Sequence, residues 1–93
     1  MLNVNEYFNG AVKSISFTSN TSPASVGIMT AGEYKFSTSS PEIMHIISGS
    51  AEVQQANEDN WVSFTAGQHF KVAGNSSFLI RVTSDTAYLC EYC

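Results

Sequence analysis

The strongest constraint on this chain is a two-residue hydrophobic period that recurs along most of its length and is broken only at turn residues. Tyr34 and Phe36 alternate with Glu33, Lys35 and Ser37, and Phe70 and Val72 alternate with His69 and Lys71. Phe78, Ile80 and Val82 oppose Ser77, Leu79 and Arg81, while Tyr88, Cys90 and Tyr92 oppose Ala87, Leu89 and Glu91. Extended chain sends successive side chains to opposite faces, so each segment reads as a strand with one face turned to a core. Segments 11–17, 25–29, 42–48, 50–55 and 61–64 also read as strands. No window carries a helical period, apart from one turn expected near Asn5–Phe8. The breaks fall at Asn20–Pro23, Ala31–Gly32, Ser39–Pro41, Ser48–Gly49, Asn57–Asn60, Ala66–Gly67, Ala73–Asn75 and Ser84–Asp85, where Gly, Pro, Asn, Asp and Ser supply turn backbone.

About nine short strands so divided make an all-β fold. The chain has 93 residues, enough for one core only, so a single domain over residues 1–93 is expected. One open sheet of that many strands would leave long edges and a naked face, which favours closure into an antiparallel β-barrel. The Ser/Thr-rich stretch 18–25 is expected to be a hairpin loop. The strand Ile43-Met44-His45-Ile46-Ile47 is apolar on both faces, which predicts a homodimer covering its outer side.

Charge narrows the function. Formal net charge is −4, and the only basic side chains are Lys13, Lys35, Lys71 and Arg81. They are scattered, whereas a nucleic-acid face needs clustered cations to neutralise phosphates. No segment reaches the ~18 apolar residues of a membrane span, and the opening Met-Leu-Asn-Val-Asn-Glu lacks the pattern of a signal peptide. A cytoplasmic protein is expected. Cys90 and Cys93 do not form the framework of a secreted disulfide fold. Nor do they suit a redox pair, since they fall on a strand with their thiols on opposite faces. Cys90 reads as core and Cys93 as terminal.

Two stretches carry more specific information. In Glu42-Ile-Met-His-Ile-Ile-Ser-Gly49, a carboxylate precedes a glycine by seven positions; in Gly67-Gln-His-Phe-Lys-Val-Ala-Gly-Asn75, a second glycine opens a strand that ends in a turn. Both resemble the motifs of cupins, double-stranded β-helix or jelly-roll barrels, with Ala73 where proline is usual. The metal-binding positions of that fold would fall around Lys35–Thr38 and at Phe78, none of which is histidine. Glu42 alone cannot supply the three or so ligands that zinc, iron or manganese needs. No metal is therefore expected.

A narrower resemblance runs through nearly the whole chain. Asn5-Glu6-Tyr7-Phe8, Val12-Lys13-Ser14-Ile15, Ser25-Val26-Gly27, Gly32-Glu33-Tyr34, Phe36-Ser37-Thr38, Pro41-Glu42, Ile47-Ser48-Gly49 and Tyr88-Leu89-Cys90 occur in order. Together they resemble the pyrimidine/purine nucleoside phosphorylase family of small bacterial cupins. The resemblance implies a pentosyltransferase of broad specificity, with purine and pyrimidine nucleosides as substrates, phosphate as co-substrate and no other cofactor.

Breaking a glycosidic bond builds positive charge on the sugar and negative charge on the departing base. Such chemistry asks for a carboxylate, an oxyanion anchor and flat apolar walls. Glu42 is the candidate catalytic carboxylate, sharing its inward parity with Met44; alternatively it bonds backbone amides at the barrel mouth. Tyr34, Phe36 and Phe78 share the inner face and either stack on a base or simply fill the core. Ser37 offers a hydroxyl to phosphate. Arg81 has the fork suited to an oxyanion, yet its parity turns it outward if Phe78 and Ile80 turn inward, leaving it either a site at a sheet edge or a subunit boundary or the role of a solvated surface arginine. Lys13 and Lys35 read as surface charges, His69 as a surface strand residue, and His45 lies on the face opposite Glu42. A cupin that binds a small molecule without turning it over is the alternative function.

Overall fold

The computed structural model describes residues 2–93. Ten strands follow one another: β1 Val4–Tyr7, β2 Val12–Thr18, β3 Pro23–Met29, β4 Gly32–Ser37, β5 Glu42–Ser48, β6 Ser50–Gln55, β7 Val62–Thr65, β8 His69–Val72, β9 Ser77–Val82 and β10 Thr86–Tyr92. The nine expected strands are present. The tenth, β1, occupies residues expected to form a helical turn, and the turn itself falls just after it as a short 3-10 segment, Phe8–Gly10. Strand β3 begins at Pro23, inside the stretch expected to be loop, and the Ser19 hydroxyl closes the remaining turn by donating to the Ser22 carbonyl oxygen at 2.8 Å.

All strand pairs are antiparallel. They form two sheets, one of six strands in the order β1-β2-β3-β10-β5-β8 and one of four in the order β4-β9-β6-β7. The barrel expected from sequence is thus a jelly-roll sandwich: the sheets face each other without one continuous hydrogen-bonded ladder. Alternation fixes which side chains turn inward, but ladder closure depends on pairing between distant strands, which a two-residue period does not encode.

The core lies between the sheets. Val12, Met29, Ile46, Val53, Val72 and Ile80 are its largest fully buried apolar side chains. Their interdigitation follows from the inward alternation of both sheets. Gly49 makes the β5–β6 turn at φ +92, a backbone that a side chain disfavours, and a Cβ there would stand 2.8 Å from Thr86 Oγ1. That turn passes the chain from the larger sheet to the smaller one, while the register of β5, with Glu42 at its start, is set by its ladders with β10 and β8.

The outer face of the larger sheet is unusually apolar. Register aligns Val4, Ile15, Val26 and Leu89 in one row across β1, β2, β3 and β10. Val4, Ile15, Phe17, Val26, Ile28 and Ile47 are all exposed. Among the described residues, no helix is long and apolar enough to cross a membrane.

Candidate functional site

A cavity of about 200 Å³ opens between the two sheets, lined by Tyr7, Ser14, Phe36, Ser37, Glu42, Met44, Phe78, Tyr88, Cys90 and Tyr92. This volume is small beside the ~300–1,000 Å³ of sites that enclose drug-sized ligands. A ligand of one or two rings would enter with part of its surface left at the mouth. The lining comes from β1, β2, β4, β5, β9 and β10, so the site belongs to the packed sandwich rather than to any one loop.

Glu42 is its only acidic residue, and the lining contains no lysine or arginine. As the first residue of β5, Glu42 pairs with Tyr92 across the β5–β10 ladder. The Cys90 thiol, two positions back along β10, donates to Glu42 Oε1 at 3.4 Å. Burial pushes the Glu42 carboxyl above its ordinary value of 4.5, and the Cys90 hydrogen bond partly offsets that rise. Burial, then the neighbouring Glu42 charge, pushes the Cys90 thiol up to about 12, so it is a neutral S–H donor throughout the physiological range.

Two tyrosines complete the polar side. Burial pushes the Tyr88 phenol up to about 12 against the effect of a hydrogen bond with Ser14. The Tyr92 hydroxyl lies 2.9 Å from Ser25 Oγ, and its pKa is likewise raised, chiefly by burial. Opposite them stands an aromatic wall. Phe36 and Phe78 stack with centroids 5.7 Å apart at 25°, and Tyr7 meets Phe36 edge-on at 6.4 Å.

Five of the seven residues singled out from sequence thus converge: Glu42, Phe36, Ser37, Met44 and Phe78. The structure places the other two elsewhere. Tyr34 is buried in the core beside the cavity, its hydroxyl donating to the Thr30 carbonyl oxygen at 2.7 Å and its ring 4.9 Å from Phe8. Arg81 lies on the outer face of the smaller sheet, where it donates to Glu52 Oε1 at 2.9 Å and stacks over Trp61 at 3.9 Å. Its strand parity already pointed there, because Ile80 and Val82 on either side are buried.

Five lining residues, Tyr7, Ser14, Tyr88, Cys90 and Tyr92, were not singled out in the sequence as binding groups. Tyr7 was concealed by the expectation of a turn at its position. Ser14, Tyr88 and Cys90 have inward parity, but parity alone does not tell a cavity wall from filled core. Thr38, adjacent to Ser37, is tied down instead, its hydroxyl donating to the Ala73 carbonyl oxygen at 2.6 Å. On the opposite face of β5, His45 Nε2 lies 2.6 Å from Glu91 Oε1, away from the cavity.

The cupin fold commonly holds a metal at this end of the sandwich, but the residues here do not fit one. Among the described residues, no three His, Cys, Asp or Glu side chains converge, and the one carboxylate in the cavity is hydrogen-bonded to a protonated thiol.

Two facing sheets of short antiparallel strands in this jelly-roll order make the fold that cupin domains share. Accordingly, the fold matches an RmlC-like cupin from Shewanella frigidimarina with a TM-score of 0.77 at 16% identity, over 98% of this chain and 82% of that one. A protein of unknown function from Vibrio parahaemolyticus is much more similar, with a TM-score of 0.95 at 43% identity over 100% of this chain and 99% of that one. The family profile described as Pyrimidine/purine nucleoside phosphorylase matches residues 2–92. A protein of that name from Pseudomonas putida (strain GB-1) is 54% identical over 92 residues, 99% of this chain and 98% of the relative. The chain belongs to the pyrimidine/purine nucleoside phosphorylase family.

Proposed function

We propose that this chain is a nucleoside phosphorylase that converts purine and pyrimidine nucleosides plus phosphate to free base and ribose 1-phosphate. The observation that carries the reading is a single carboxyl group set in an otherwise uncharged cavity, facing a flat aromatic wall. Phosphate is the co-substrate, and the reaction calls on no other cofactor.

The bond from C1′ to the base nitrogen breaks with its electron pair leaving on the base, and a phosphate oxygen forms the new bond to C1′. Glu42 accepts hydroxyl hydrogens from the ribose and, when ionised, opposes the positive charge that grows on the sugar. Phe36, Phe78 and Tyr7 supply planar surface for the base. Stacking accepts any flat ring, whereas fixed edge hydrogen bonds would discriminate between purines and pyrimidines. Ser14, Ser37 and the tyrosine hydroxyls are the neutral donors available to phosphate. The same reading places the protein in the cytoplasm as a homodimer, packed through the apolar outer face of the larger sheet.

The absence of any lysine or arginine from the cavity lining favours one second reading, a cupin that binds nucleoside-like molecules without phosphorolysis. Incubating purified protein with inosine or uridine, with and without phosphate, and following base release by chromatography separates the two. Release only with phosphate supports phosphorolysis. Release without it indicates hydrolysis, and no release leaves binding as the function.

A further inference from the structure

Glu42 is held from one side only. Its Oε1 accepts the Cys90 thiol hydrogen at 3.4 Å, and no other side-chain hydrogen bond reaches the carboxyl among the described residues. Cys90 and Glu42 are diagonal neighbours on the β5–β10 ladder, since Cys90 pairs with Met44 and Tyr92 pairs with Glu42. This is the separation at which side chains on one face of a sheet meet. Cys90 itself is fixed, being buried in the core cluster with Met44 and Tyr88.

From this geometry we infer that Cys90 is a positioning residue for the Glu42 carboxyl. The inference rests on the proposed phosphorolysis and adds to it the group that orients the carboxylate. By occupying Oε1, the thiol leaves Oε2 as the oxygen free to meet the ribose. It also favours the ionised form, since a hydrogen bond donated to a carboxylate stabilises its charge.

The S–H group suits this task because it is weakly polar. A thiol packs like a small hydrophobe in the core cluster beside its ladder partner Met44, yet still offers one donor. An alanine would keep the packing approximately and remove the donor. A serine would restore a donor in nearly the same volume.

The test uses Cys90→Ala and Cys90→Ser in the full chain, with two readouts. The first is the titration of the Glu42 side-chain carboxyl, followed by carbon-13 NMR in the unliganded protein. The second is the pH dependence of kcat/KM for phosphorolysis of inosine. In Cys90→Ala the carboxyl titration and the acid limb of the rate profile both move to higher pH, and kcat/KM falls roughly threefold to tenfold at the low end of the profile. Cys90→Ser returns both towards wild type. An unchanged carboxyl titration in Cys90→Ala overturns the inference, as does a serine variant that folds but behaves like alanine. If the wild-type protein releases no base, the phosphorolysis reading fails, and the titration of the free protein alone decides whether Cys90 governs Glu42.

Discussion

The phenol of Tyr88 lies directly over the α-carbon of Gly27, so that a Cβ at residue 27 would stand 2.6 Å from both the ring carbon Cζ and the hydroxyl oxygen. The two residues are partners across the β3–β10 ladder. A missing side chain on one strand therefore makes the bed for a cavity-lining tyrosine on the next. The Lys13 carbonyl oxygen would also be 2.8 Å from that Cβ, and backbone cannot swing aside as a ring can. Gly27→Ala is expected to lower stability by about 1–3 kcal/mol through overpacking and to displace Tyr88 into the cavity. Denaturant unfolding with nucleoside binding measured alongside checks both effects.

Glu42→Gln removes the carboxylate while keeping size and shape. Base release is expected to fall by a hundredfold or so if the charge stabilises the sugar cation, on the order of one lost electrostatic contact in a transition state. Folding should be retained. Steady-state rates with a circular dichroism spectrum test this, and a variant as active as wild type would remove Glu42 from the mechanism.

Glu42 also makes a pH prediction for stability. Its folded-state pKa is raised above the ordinary 4.5, so between those two values the native protein holds more protons than the unfolded chain. Stability then falls as pH rises from 4.5 through the folded pKa, because ionising a half-buried carboxyl opposes folding. Comparing denaturation midpoints of wild type and Glu42→Gln across that range should show a component of this sign in wild type only.

Tyr7 sits on the edge strand β1 and is substantially exposed. Tyr7→Ala should therefore raise KM for nucleosides with little change in thermal stability, whereas Tyr7→Phe, which keeps the ring, should leave KM close to wild type. Initial-rate kinetics over a nucleoside concentration series distinguishes these outcomes.

Arg81 provides the contrasting case. Its pair with Glu52 is largely solvated, with side chains 41% and 45% exposed, and such pairs contribute about 0–1 kcal/mol. Arg81→Ala is expected to leave phosphorolysis unchanged and to shift the melting temperature only slightly. A loss of phosphate dependence in that variant would place the anchor on the outer face after all.

The contrast between Glu42 and Arg81 shows what the sequence makes legible here. Alternation assigned inner and outer faces correctly, and the spacing from Glu42 to Gly49 located the carboxylate. Arg81 has the chemistry of an oxyanion anchor, but its parity opposes that role, since Ile80 and Val82 beside it turn inward. Tyr7 was hidden because four residues, Val4–Tyr7, are too short to display a clear period, and the turn beside them has a stronger local signal. The hydroxyls of Ser14 on β2 and of Tyr88 and Tyr92 on β10 come from strands far apart in sequence, and only the pairing of both strands with β3 brings them to one side of the cavity. The split into two sheets was equally illegible, since it is a property of partners rather than of segments.

Residues Phe8, Asn9 and Gly10 run in left-handed backbone, with φ of 55, 58 and 88. For a bulky side chain such as Phe8 this costs about 1–3 kcal/mol, and it persists because the ring packs 4.9 Å from Tyr34 and 5.5 Å from Phe36. Tyr7, immediately before, meets the same Phe36. Phe36 thus both lines the cavity and packs against the strained segment that follows β1. Anyone widening the chamber at this residue to admit a bulkier base would also remove a ring that holds Phe8 in its left-handed backbone, so cavity volume and the strained turn cannot be engineered separately at Phe36.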